Sequence, residues 1–197
     1  MSTDIEVERR SVVTSTQAIA IERLTSLAPN AVYAVHADAQ TAGRGRQQRS
    51  WEDPPGTALL VSIAAQGPWP LAALEGLPER VAMLVAELVG EALGVDRQFV
   101  AWKAPNDLVV AEAAPTATGA KLAGVLIDAA STDDHVSSVV VGCGVNLLGG
   151  AFTTADGRAA AAFDVLRGPG AAPVNVGVTA LARQLASGVR ALLSAPR

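Results

Sequence analysis

Aromatic side chains make up only 4% of this sequence: three Phe, three Trp and one Tyr among 197 residues. A core must therefore be filled by Ala, Val, Leu and Gly; half the residues are hydrophobic, enough for one domain of ordinary size. The single cysteine, Cys143, excludes an internal disulfide framework and fits a reducing compartment. Of the two histidines, His36 reads as a packed or rim residue of an apolar strand and His135 as solvated. Apolar runs such as Val81–Val85 are far too short to cross a bilayer, and residues 1–10 lack the apolar stretch of a signal peptide. A cytoplasmic protein with no membrane contact follows. Basic residues are outnumbered, 15 against 19 acidic, for a net charge of −4, which argues against a DNA-binding surface. No repeat or low-complexity tract is present.

What is there gathers around Gln40-Thr41-Ala42-Gly43-Arg44-Gly45-Arg46-Gln47-Gln48-Arg49-Ser50-Trp51. Three arginines fall within six residues, and apolar runs at 31–35 and 58–63 flank the stretch. Glycine lets backbone N–H groups turn toward an anion, and arginine brings a fixed fork of donors to phosphate or carboxylate. Two readings stand at this point: a phosphate cradle between buried strands, or a solvated connection whose arginines face water.

Along the chain, residues 1–10 read as a frayed lead-in and Val12-Val13 as a short strand. Ser15-Thr16 precede an apolar-striped helix over 18–27 and read first as its N-cap, with ligand-facing hydroxyls as the alternative. Strands are expected over 31–37 and 58–65, a turn at Glu52-Asp53-Pro54-Pro55-Gly56, and a proline-punctuated connection over 67–78. A helix over 79–93 stops at Gly94. Strand-like runs follow over 98–103, 108–111, 121–129 and 136–146, with an exposed loop over 113–119. Segment 149–170 reads as loop with one short helix over 159–166, and 175–193 as a closing helix with Leu181, Leu185 and Val189 on its stripe. Strands in the middle with helices between and after them give a single α+β domain over 1–197, a mixed sheet covered on one face by helices.

Four separated segments put polar or glycine residues at the ends of apolar strands. They are the arginine loop, Lys103-Ala104-Pro105-Asn106-Asp107, Lys121-Leu122-Ala123-Gly124, and Gly142-Cys143-Gly144-Val145-Asn146. Lys121 opens an otherwise apolar run, where an ammonium is costly unless an anion meets it. Glycine in a strand marks a bulge or the close approach of a ligand or another backbone. Together the segments describe a site rich in cations and bare backbone and poor in acids. A substrate combining phosphates, a carboxylate and an apolar body suits it. Cys143 reads as a small buried thiol, since no histidine adjoins it in sequence to activate it.

With Ser15-Thr16-Gln17 and Gln40 ahead of them, these segments resemble, in order and spacing, the motifs of the biotin protein ligase (biotin–acetyl-CoA-carboxylase ligase) family over residues 12–148. The resemblance implies a mostly antiparallel, class II synthetase-like catalytic domain. It also implies a reaction: ATP with Mg2+ activates biotin to biotinyl-5′-AMP, and the biotinyl group passes to a lysine of a biotin carboxyl carrier protein. By the same resemblance, Ser15, Thr16, Gln17, Gln40, Gly43, Arg44, Gly45, Lys121, Gly124, Gly142 and Gly144 hold biotin. Arg46, Arg49, Trp51, Asn106 and Asn146 meet the nucleotide. Lys121, Arg44 and Arg46 serve the chemistry, with Lys121 bridging carboxyl oxygen and α-phosphate, and Asp107 meets the incoming lysine. No protein-held metal is implied.

Departures from the family pattern are specific. Gln17 replaces an asparagine, Gln48 a glycine and Ala104 a tryptophan, with Trp102 a candidate to pack on the same wall. Family members commonly carry a C-terminal β-barrel domain and some an N-terminal winged helix; neither is expected here. A lipoate-type ligase and a catalytically weak biotin-binding relative are the alternatives, and a homodimer is left open.

Overall fold

The computed structural model describes residues 5–51, 56–116, 118–168 and 170–195. The expected turn at 52–55 lies outside them. The elements are β1 (Glu6–Val13), α1 (Thr16–Arg23), β2 (Val32–Gln40), β3 (Ala58–Pro70), α2 (Leu77–Leu93), β4 (Val100–Lys103), β5 (Asp107–Val110), β6 (Lys121–Ser131), β7 (His135–Asn146), β8 (Ala151–Thr153), β9 (Ala159–Ala161) and α3 (Val178–Ser194). The strands run in the order β1-β2-β3-β7-β6-β5-β4, and β9 joins β6 and carries β8. Pairing is antiparallel except between β1 and β2 and between β6 and β9. The α+β class with a mixed, mostly antiparallel sheet is therefore the observed one.

Side chains alternate across a strand, so each strand serves two faces. On one face Val32, Ala34, Leu59, Val61, Ile63, Val141 and Val145 meet Val85 and Val89 of α2 and Leu185 and Val189 of α3 in the main core. Pro78 in the first turn and left-handed Gly94 at the end delimit α2, as fixed φ and a missing Cβ predict. Gly188 of α3 is the point where Leu84 presses in; a Cβ there would lie 3.0 Å from its Cδ1. On the opposite face Tyr33, Val35, Ala64 and Val140 pack with Ala20 of α1 in a smaller cluster. Helices thus lie on both faces, not one: α1 is short and covers only part of its side, leaving room for a cleft.

Three further local expectations are corrected. The lead-in is strand β1, held in register from Glu6 against Tyr33 to Val13 against Gln40. Strand β3 runs on to Pro70 into the expected connection. No α-helix forms over 159–166: β8 and β9 make a small hairpin, Phe152 opposite Ala160, followed by a short 3-10 turn at Phe163–Arg167. By propensity the run Ala159–Ala162 favours helix, and pairing of β9 with Lys121 overrides it. Among the described residues no helix is long and apolar enough to cross a membrane.

Candidate active site

The cleft beside α1 begins at the helix start. Ser15, Thr16 and Gln17 are all buried there. Ser15 occupies the N-cap position, yet its side chain makes no cap bond and its Oγ is buried without a partner. The capping expectation thus gives way to the alternative, a hydroxyl lining the cleft. The Thr16 backbone N–H donates to Gln40 Oε1 at 2.8 Å. Thr16 Oγ1 lies 3.2 Å from the same oxygen and 2.9 Å from Ser62 Oγ, which donates to Gln17 Oε1 at 3.0 Å. Two hydroxyl hydrogens serve these three oxygen–oxygen contacts, so acceptor capacity exceeds donor supply. A ligand end bearing N–H groups complements that surplus.

The floor is bare backbone. Strand alternation turns Cys143 into the helical core and positions 142 and 144 toward the cleft. A Cβ on Gly142 would collide with Gln17 Oε1, and one on Gly144 would lie 2.6 Å from Cε2 of Trp51. At Gly124 it would come within 3.3 Å of Trp51 Cζ3. The indole therefore lies flat on glycines that any larger residue would push it from. Burial pushes the Cys143 thiol up to about 12, so it is no nucleophile at neutral pH.

Lys121 stands at a seam. Its Nζ is 2.8 Å from Asp107 Oδ1, with both side chains about a quarter exposed, and 5.3 Å from the Trp51 ring centroid. Lys121 and Trp51 line both the narrow cleft, of about 50 Å³, and a neighbouring cavity of about 510 Å³. That larger cavity is walled by Arg49, Lys103, Asn146, Phe152 and Arg158. Its outer carboxylate, Asp156, is held down to about 2, first by the hydrogen bond from Arg158 and then by Thr154. No carboxylate pairs with Arg44, Arg46 or Arg49 among the described residues.

Of the expected site residues, Ser15, Thr16, Gln17, Gln40, Arg44, Gly45, Arg46, Lys121, Gly124, Gly142 and Gly144 line the narrow cleft together. Arg49, Asp107 and Asn146 line the larger cavity, with Trp51 common to both. Four residues differ from expectation in place or in the use of their polar atoms. Arg46, expected at the nucleotide, lines the narrow cleft and not the larger cavity. Asn106 lines the narrow cleft, its Nδ2 donating to the Val125 carbonyl at 3.0 Å. Gly43 lines neither cavity but an open concavity in front of the arginines, and accepts a bond from the Trp51 N–H at 3.0 Å. Asn146 Nδ2 donates to the carbonyls of Lys121 and Ala161 at 3.3 Å each, tying three strands together. Trp102 packs against the helical core. Sequence reading missed Ser62, Asp128 and the β8–β9 wall. Ser62 and Asp128 were visible as polar breaks in apolar runs; Phe152 and Arg158 fell in the stretch read as loop.

The sequence pattern that defines the biotin/lipoate A/B protein ligase family matches residues 10–146. This chain belongs to that family. Among curated relatives, a bifunctional ligase/repressor BirA of Bacillus subtilis is 33% identical over 136 residues, 69% of this chain and 38% of that protein. A biotin–[acetyl-CoA-carboxylase] ligase of Paracoccus denitrificans is 33% identical over 111 residues, 56% of this chain and 42% of that one. The chain thus spans less than half the length of these ligase-family relatives. A biotin protein ligase from Leishmania major, solved in complex with biotin, shares the fold: TM-score 0.74 at 23% identity, over 97% of this chain and 75% of that one.

Proposed function

We propose that this ligase-family chain activates biotin with MgATP to biotinyl-5′-AMP and passes the biotinyl group to a lysine of a biotin carboxyl carrier protein. The observation that carries the reading is Lys121, which lines both cavities while arginines flank the narrower one. In the first step a biotin carboxylate oxygen attacks the α-phosphorus, forming a carboxyl–phosphate anhydride while pyrophosphate leaves with the electrons of the broken P–O bond. Two anions must meet, so the barrier is largely electrostatic, and the Lys121 ammonium with the guanidiniums of Arg44, Arg46 and Arg49 answers it. The bicyclic head of biotin carries ring N–H groups and a carbonyl, which match the acceptor-rich end at Thr16, Gln17, Gln40 and Ser62 and the unpartnered Ser15 hydroxyl. In the second step a lysine amine attacks the acyl carbon and AMP leaves. Asp107, 2.8 Å from Lys121, is the carboxylate that accepts the amine's proton. The ATP requirement and the free, buried Cys143 accord with action in the cytoplasm.

The test is exchange of labelled pyrophosphate into ATP, run with biotin, with lipoate and with neither. Biotin-dependent exchange is expected. Exchange with lipoate alone would make it a lipoate-type enzyme, and none with either acid would leave a binding protein without adenylation chemistry.

A further inference from the structure

Asp128 lies on β6, one alternation beyond Leu126 on the cleft side of the sheet, and nothing in the expected catalytic set includes it. Its Oδ2 accepts a hydrogen bond from Gln17 Nε2 at 2.9 Å. Gln17 is buried, while Asp128 is exposed. An ionised carboxylate only accepts hydrogen bonds, so the amide must offer it the NH2 end. The weaker second neighbour of that nitrogen, the Val140 carbonyl at 3.5 Å, makes the same demand. The amide oxygen is thereby forced inward, where Ser62 donates to it and where Gly142 leaves space that a Cβ would take. Were the amide turned over, its oxygen would face a carboxylate and a carbonyl, and the cleft would present a donor where it now presents an acceptor.

We infer that Asp128 is a specificity-determining positioning residue: it latches the Gln17 amide so that the cleft shows a carbonyl acceptor to a ligand head bearing ring N–H groups. The inference rests on biotin binding as proposed above and deepens it. A cyclic urea gains from a fixed acceptor, whereas a dithiolane, which has no N–H, gains nothing. The latch therefore acts on the choice between the two acids, at binding, and not on the phosphoryl chemistry at Lys121.

The experiment is steady-state pyrophosphate exchange by wild type, D128A, D128N and D128E, varying biotin, desthiobiotin, lipoate and ATP in turn. An asparagine at 128 offers either end of its own amide, so D128N lets Gln17 turn over. For D128N and D128A the KM for biotin is expected to rise about tenfold, the order of a lost charge-assisted hydrogen bond, with kcat and the KM for ATP within about twofold of wild type. Desthiobiotin, which keeps the urea, should shift in parallel, and any use of lipoate should not fall, so selectivity drops by the same factor. D128E should recover most of the biotin affinity. An unchanged KM for biotin in both D128A and D128N overturns the latch. So does an equal rise in the KM for ATP, which would assign Asp128 to the arginine loop whose open concavity it shares. Wild type inactive with biotin would instead overturn the proposed function itself, a distinct result.

Discussion

The two faces of the sheet are built from the same small residues and use them in opposite ways. Under α2 and α3, β7 contributes Val139, Val141, Cys143 and Val145, all buried among apolar neighbours. Turn the same strand over and it shows Val140, Gly142, Gly144 and Asn146, with α1 over the first, the cleft over the two glycines and the larger cavity over Asn146. One face gains free energy from excluded water and close packing. The other gives that up: glycine backbones, buried hydroxyls and an ammonium–carboxylate pair are held open for a ligand. Stability and chemistry are thus separated by a single residue step along one strand, and substitutions on the two faces should fail differently.

Lys121→Ala should give the largest effect and the cleanest separation. It removes the charge proposed to serve where carboxylate and phosphate meet, and leaves the helical core untouched. Loss of one such stabilising donor lowers turnover by roughly 10²–10³-fold. Biotin-dependent pyrophosphate exchange should fall by that order, while the urea unfolding midpoint stays within experimental scatter. Exchange near the wild-type rate would break the assignment of Lys121; a large loss of stability would break the division between the faces.

Leu185→Ala is the reverse case. Leu185 is 1% exposed in the middle of α3, against the helical face of the sheet. A leucine truncated in such a core costs about 2–5 kcal/mol, depending on how far the cavity collapses. Unfolding in urea should show that loss, and exchange measured well below the transition should keep a kcat within about twofold, since the cleft lies across the sheet. A fall in kcat comparable to that of Lys121→Ala, in folded protein, would mean that the two faces are coupled.

How far the sequence carries the reader follows the same division. The helical face was legible because burial there obeys simple periods: α2 and α3 fall within a few residues of expectation, and β2, β3, β6 and β7 were found. Cleft residues were legible only as chemistry out of place, an ammonium opening an apolar run or glycines inside a strand, and it took their common order to make them one site. Three things were illegible for physical reasons. Strand β1 pairs with residues 33–40, far along the chain, and its charged Glu6–Arg10 segment carries no apolar period. The β8–β9 hairpin is alanine-rich, and its tie to β6 is a tertiary fact. Ser15 stood where a cap belongs, and only the structure distinguishes a hydroxyl turned to the helix from one turned to a cleft.

Cys143 gives the smallest effect and tests the boundary itself. It sits between the two cleft glycines in sequence, so a reader counting residues puts its thiol in the active site. Alternation puts it among Val125, Val141 and Val145 on the other side, 3% exposed. Burial raises the thiol to about 12, which leaves almost no thiolate between pH 7 and 9. Iodoacetamide should therefore label the native protein negligibly throughout that range and label it fully once urea unfolds the chain. Because the folded thiol titrates above the unfolded one, near 8.5, the neutral thiol's share of stability is intact below the unfolded value. That share declines as pH rises from there toward about 12. Cys143→Ala removes one sulfur from a packed core and should cost about 1 kcal/mol, with pyrophosphate exchange unchanged within about twofold. Rapid labelling of the native protein that biotin blocks would put the thiol in the cleft and erase the distinction between the two faces at the residue where it is sharpest.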